Sequence, residues 1–99
     1  MSKAFLYSFT VNDVVYYHSI DTENDATYLK DWNGSLLYTV NSDADLSDKI
    51  GLRIGSFRTD TNGLWYFRFG SSNTTIQTGE KDLIKAELKV FKNLMGYDK

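Results

Sequence analysis

Three asparagine-led corners in the first seventy residues constrain this chain more than any other feature. Asn12-Asp13 lies between LYSFTV and VVYYHSI, Asn33-Gly34 between ATYLKDW and SLLYTV, and Asn62-Gly63 between SFRTDT and LWYFRFG. Asn, Asp and Gly tolerate the positive φ angles that a two-residue hairpin turn demands, so each corner predicts a β-hairpin. The chain has no proline, and therefore no strand lacks a ladder amide.

Reading each corner as a two-residue loop sets the pairing. In the first hairpin Val11 faces Val14, Phe9 faces Tyr16, Tyr7 faces His18 and Phe5 faces Ile20. In the second, Leu29 faces Tyr38, Thr27 faces Val40 and Asp31 faces Leu36. Tyr28, Lys30, Trp32, Leu37 and Thr39 take the opposite side. In the third, Trp65, Phe67 and Phe69 share a face with Ser56, Ile54 and Leu52, and Arg53, Phe57, Tyr66 and Arg68 share the other. A one-residue slip would invert each of these lists.

The stretch NSDADLSDKI between the second and third hairpins reads as a loop or one helical turn. Residues 71–78 read as a polar linker with a short extended piece at most. A helix follows over 79–96, with Thr78 as N-cap, Glu80 and Asp82 in a first turn where the dipole favours acids, and Gly96 as the stop. Ile84, Leu88, Phe91, Leu94 and Met95 form its apolar stripe, which only Glu87 interrupts. The predicted class is α+β, in one domain of residues 1–99. It comprises a bent antiparallel sheet of about six strands over 1–70, arranged as three successive hairpins, packed against one C-terminal helix.

Composition removes several chemistries. Without cysteine there is no disulfide, thiolate nucleophile or cysteine-held metal. The N-terminus MSKAFLYSFTV has no long apolar run, so neither a signal peptide nor a membrane span is expected, and the location expected is cytoplasmic. Asp21-x-Glu23-x-Asp25 and Asp43-x-Asp45-x-x-Asp48 alternate acids but lack the glycine and late glutamate of a calcium loop. No phosphate-binding glycine pattern occurs, so no metal and no cofactor is expected. The single histidine, His18, sits mid-strand with no nucleophile or carboxylate nearby in sequence on its own face. No catalytic set is therefore expected, and a small enzyme around His18 ranks third among the functional readings.

One helix can shelter only one side of a sheet. The Trp65–Phe69 side is the apolar one, so the helix takes it. Arg53, Phe57, Tyr66 and Arg68 are left on the other side, joined by Tyr28 and Trp32. Tyr, Trp and Arg are the residue types enriched where proteins meet. The charge is also uneven: from Asp21 to Asp48 seven acids face Lys30 alone, while Lys49, Arg53, Arg58 and Arg68 follow against Asp60. These features favour a non-enzymatic protein-binding module, an adaptor or inhibitor, whose partner is a larger protein or a second copy in a homodimer. A single-stranded nucleic-acid binder using the same face is the alternative, disfavoured by the net charge of −2. A structural subunit of a larger assembly is a further one. The plainer possibility is that Arg53 and Arg68 merely lie over Phe57 and Tyr66 in cation–π contact.

Overall fold

A computed structural model describes residues 4–96. Eight strands form one open, bent sheet in the order of the chain: β1 (Ala4–Val11), β2 (Val14–Asp21), β3 (Ala26–Asp31), β4 (Leu36–Val40), β5 (Asp45–Asp48), β6 (Arg53–Thr59), β7 (Trp65–Phe69) and β8 (Thr75–Gln77). Every adjacent pair is antiparallel. One helix, α1 (Leu83–Leu94), packs on the inner face. The α+β class is as the sequence predicts. The two strands beyond the expected six are β5, in the stretch read as a loop or helical turn, and β8, inside the stretch read as a linker.

Four of the corners share one plan. Asp31, Asn41, Asp48 and Asp60 each accept, through Oδ1, the amide N–H groups two and four residues further on, at 2.8–3.0 Å. The backbone of each also accepts from the fourth residue of its corner and donates to the fifth. The fourth residue adopts positive φ: Gly34 +83°, Ala44 +62°, Gly51 +88° and Gly63 +78°. This is a three-residue loop built on a type I turn followed by a left-handed residue, with the side chain of an Asx residue satisfying two loop amides.

These corners decide the register. The first hairpin does turn in two residues, with Asn12 and Asp13 at φ +52° and +67°, and its four expected pairings are all present. In the second, Leu29 pairs with Tyr38 and Thr27 with Val40, but Lys30, not Asp31, pairs with Leu36. There the longer loop shifts the strands by one, and an irregularity beside Leu29 and Lys30 restores them. The third hairpin has no such compensation. Phe57 pairs with Phe67 and Arg58 with Tyr66, one residue away from the two-residue reading. Phe57 therefore points inward, and Ser56 and Arg58 point outward.

The core follows from that arrangement. Leu29, Val40, Leu46, Phe57 and Phe67 on the sheet meet Val90 and Phe91 on the helix, all of them buried. Phe57 and Phe67 lie 5.1 Å apart between ring centroids, and Phe67 meets Phe69 edge-on at 5.0 Å. Gly55 makes this stack possible. A Cβ there would lie 2.3 Å from the Arg68 carbonyl oxygen and 2.5 Å from Phe67 Cζ.

The helix begins later than expected. Asp82 is the N-cap, its carboxylate accepting from the Lys85 amide at 3.1 Å. Thr78 instead donates its hydroxyl to the Trp65 carbonyl, and Gly79 turns the chain at φ +69°. The buried stripe runs through Ala86, Glu87, Val90 and Phe91, while Ile84 and Leu88 are half-buried. Glu87 breaks the apolar pattern because it answers a polar group on the sheet. Its Oε1 accepts from the Thr27 hydroxyl at 2.9 Å and lies 3.1 Å from His18 Nε2, with all three residues buried. The His18 ring also meets Phe91 edge-on at 5.2 Å. No buried side-chain nitrogen or oxygen among the described residues lacks a hydrogen-bond partner.

Candidate functional site

The outward side of β5, β6 and β7 gathers three arginines, Arg53, Arg58 and Arg68. Asp45 pairs with Ser56, and Ser56 with Arg68, straight across the three strands. Arg58 and Tyr66 form the next cross-strand pair. Alternation along β6 and β7 thus places Ser56, Arg58, Tyr66 and Arg68 on one side. Arg53, at the start of β6, reaches the same place and donates from Nη2 to Ser56 Oγ at 2.6 Å.

Asp45 organises the group. Ser56 donates its hydroxyl to Asp45 Oδ1, Arg53 Nε lies 3.5 Å from that oxygen, and Arg58 Nη2 lies 3.9 Å from it. The side chains of Arg53 and Arg58 are 57% and 52% exposed, so such pairing contributes ~0–1 kcal/mol each. Arg58 also donates to its neighbouring Phe57 carbonyl at 2.6 Å, and Arg68 to Asn73 Oδ1 at 3.1 Å. Between them lies a shallow hollow of about 230 Å³ lined by Arg53, Ser56, Arg58, Tyr66 and Arg68, with Phe69 and Gly70 at its border. Asp45, bonded to Ser56 and paired with Arg53 and Arg58, is the carboxylate beside it. Arginine presents up to five planar N–H donors and stays charged, so three around one hollow suit a ligand with several anionic oxygens.

The six residues expected at a binding face thus separate. Arg53, Tyr66 and Arg68 come together. Phe57 does not join them: it is 0% exposed in the core, because the Asp60 corner is one residue longer than an Asn62-Gly63 turn. Tyr28 lies on the same outer side but on β3, half-buried, with Lys30 Nζ 5.8 Å from its ring centroid. Three strand spacings at ~4.8 Å separate β3 from β6, so Tyr28 does not line the hollow. Trp32, 64% exposed in the β3–β4 corner, belongs to a different place. It borders an open cleft of about 490 Å³ with Val14, Tyr16, Tyr38, Ile50 and Met95. The two-residue reading missed Arg58, Ser56 and the organising Asp45. The signal that would have found them is Asp60-x-x-Gly63, which marks the longer corner.

His18 and Glu87 are within hydrogen-bond reach and buried; His18 also lines a groove of about 430 Å³ with Tyr7, Phe9 and Leu88, and Glu87 a hollow of about 250 Å³ with Ile20, Asp21 and Thr27. Among the described residues no three His, Cys, Asp or Glu side chains converge as a metal site. No helix among them is long and apolar enough to cross a membrane. In comparisons with protein-family models, curated proteins and solved structures, the chain matches none.

Proposed function

We propose that the protein is a non-enzymatic binding module whose outer arginine hollow receives an acidic segment of a partner protein. One observation carries this reading. Arg53, Arg58 and Arg68 converge with Tyr66 around one hollow, with Asp45 the single carboxylate paired to them, in a chain whose net charge is −2. A local cationic field on an acidic molecule orients an approaching anionic partner and raises the encounter rate. Ser56 and Asp45 hold the Arg53 guanidinium in place, which reduces the ordering cost of binding. Tyr66 supplies a flat apolar surface between charged neighbours, a composition typical of binding hot spots.

The test is fluorescence anisotropy of a labelled peptide rich in glutamate and aspartate, titrated at low and at physiological salt. Saturable binding is expected, weakening about tenfold for each of Arg58→Ala and Arg68→Ala, or ~1.4 kcal/mol. Binding that is absent at low salt, or indifferent to both substitutions, overturns the proposal. Tyr66 flanked by Arg58 and Arg68 also supports a second reading, in which a base of a single-stranded nucleic acid stacks on the ring. A labelled oligonucleotide in the same assay separates the two. Tighter binding of the oligonucleotide, with loss on Tyr66→Ala, favours that second reading.

A further inference from the structure

Among the described residues strand β1 forms one border of the sheet and pairs only with β2. The opposite border, β8, is three residues long, too short to template another strand. β1 is different: it runs eight residues as AFLYSFTV, with no charge and no proline. Its ladder with β2 is continuous, without a bulge. Lysine, proline, bulges and short length are the devices by which sheets protect an edge, and β1 has none of them. Phe5, Leu6 and Tyr7 on it are 48%, 64% and 56% exposed.

The phase of the free backbone groups follows from the turn. Asn12 and Asp13 both have positive φ, and Val11 pairs with Val14. The pair closing such a two-residue turn is hydrogen-bonded. Alternation then directs the N–H and C=O groups of Phe5, Tyr7, Phe9 and Val11 towards β2. Those of Leu6, Ser8 and Thr10 point outward along the open edge.

We propose that this edge is a homodimer seam, in which β1 of two copies pairs antiparallel about a two-fold axis at Tyr7. The strand's own pattern selects a second copy as the occupant. Phe5, Tyr7 and Phe9 are spaced evenly about Tyr7 on the inner side of the sheet. Centred there, Tyr7 faces the partner's Tyr7, Phe5 faces the partner's Phe9, and Phe9 faces the partner's Phe5. Three aromatic pairs stand in one row, each worth ~0.2–1 kcal/mol over alanine. Leu6 meets the partner's Ser8 on the other side. The outward groups of Leu6, Ser8 and Thr10 supply the new ladder, and the Tyr7 pair falls at a non-hydrogen-bonded site, where side chains approach most closely. A one-residue slip sets outward groups against inward ones and abolishes the ladder. A two-residue slip keeps the ladder and loses one of the three aromatic pairs. The strip continues beside the strand into a groove where Tyr7, Phe9, Ile84 and Leu88 are joined by the charged Asp82 and Lys85, so the seam covers side chains as well as backbone. Within the ladder no like charges meet, since β1 carries none.

Sedimentation velocity from low to high micromolar concentration tests this. A species of twice the 11.3 kDa chain mass is expected, and a monomer throughout overturns the proposal. Tyr7→Lys places at the seam the residue that natural edges use for protection. It is expected to be monomeric with unchanged circular dichroism and a cooperative thermal transition that no longer depends on protein concentration, and a dimer retained by this variant overturns the proposal. The register is read by cross-linking, since the chain has no cysteine of its own. Facing Cα atoms at a non-hydrogen-bonded site lie ~4.5 Å apart, within disulfide reach of ~4.4–6.8 Å. Tyr7→Cys should therefore form an intersubunit disulfide under mild oxidation, and Leu6→Cys should not. Equal cross-linking at the two positions, or none at Tyr7→Cys while the native chain dimerises, overturns the Tyr7-centred register.

Discussion

Replacing Glu87 tests the coupling between helix and sheet. Glu87→Ala removes the acceptor shared by the Thr27 hydroxyl and His18 Nε2 and leaves two buried donors unpaired at ~1–3 kcal/mol each. The loss expected is thus about 2–6 kcal/mol, in line with the ~3–5 kcal/mol seen when one partner of a buried pair is removed. A domain of this size has ~5–15 kcal/mol in total and loses ~4–8 °C of Tm per kcal/mol, so Tm should fall by at least ~8 °C. Glu87→Gln keeps an oxygen for both donors and gives up the charged component, so its cost should be smaller. The triple variant His18→Phe, Thr27→Val, Glu87→Leu removes every polar member together. Replacing all partners by apolar groups of similar shape is nearly neutral, so the triple variant should be more stable than Glu87→Ala. Urea unfolding followed by circular dichroism measures all three. A triple variant whose loss equals the sum of its single substitutions would refute the reasoning, because the network would then contribute nothing as a unit.

Three further outcomes are expected. Phe57→Ala should cost ~3–5 kcal/mol as a large-to-small core change, whereas Tyr66→Ala, on the outer side, should stay within ~1 kcal/mol; urea midpoints compare them. Gly55→Ala forces a methyl against the Arg68 carbonyl and the Phe67 ring. It should destabilise by ~1–3 kcal/mol or more, and a Tm equal to that of the native chain would contradict the close approach. Asp21 accepts from the Asn24 side chain and backbone and from the Glu23 amide, and these bonds hold its carboxyl below the usual value of 3.8. A depressed folded pKa contributes stability that is present above the unfolded value and lost as pH falls through the folded one. The Tm difference between the native chain and Asp21→Asn should accordingly be present at neutral pH and shrink below pH 3.8.

What the sequence discloses differs from element to element. The β1–β2 register is legible because Asn12-Asp13 is a true two-residue turn. The mid-strand pairs of β3 and β4 are also legible, but through two offsets that cancel, the three-residue Asp31 corner and the irregularity beside Lys30. In β6–β7 only the first offset exists, so Phe57 and Arg58 exchange faces. The determinant is the Asx residue three places before the glycine, a side chain outside the turn dipeptide. Ala44 hides the Asn41 corner further, since it adopts the left-handed conformation without being glycine. β5 escapes because Leu46 is the sole apolar residue of DLSD. The His18–Glu87 pairing spans 69 positions of chain, beyond the reach of any local pattern. The arginines were visible as residue types, but their convergence depended on a register that one corner sets.

Each strand of the sheet joins the next through a short corner, whereas the helix that completes the core is made after all of them. During synthesis the hairpins can therefore zip up one after another while Leu29, Leu46, Phe57 and Phe67 still face water. A chain halted before Leu83 would carry a finished ladder with its greasy side bare, and ribosome-bound or truncated forms should depend on chaperones in a way that forms including α1 do not.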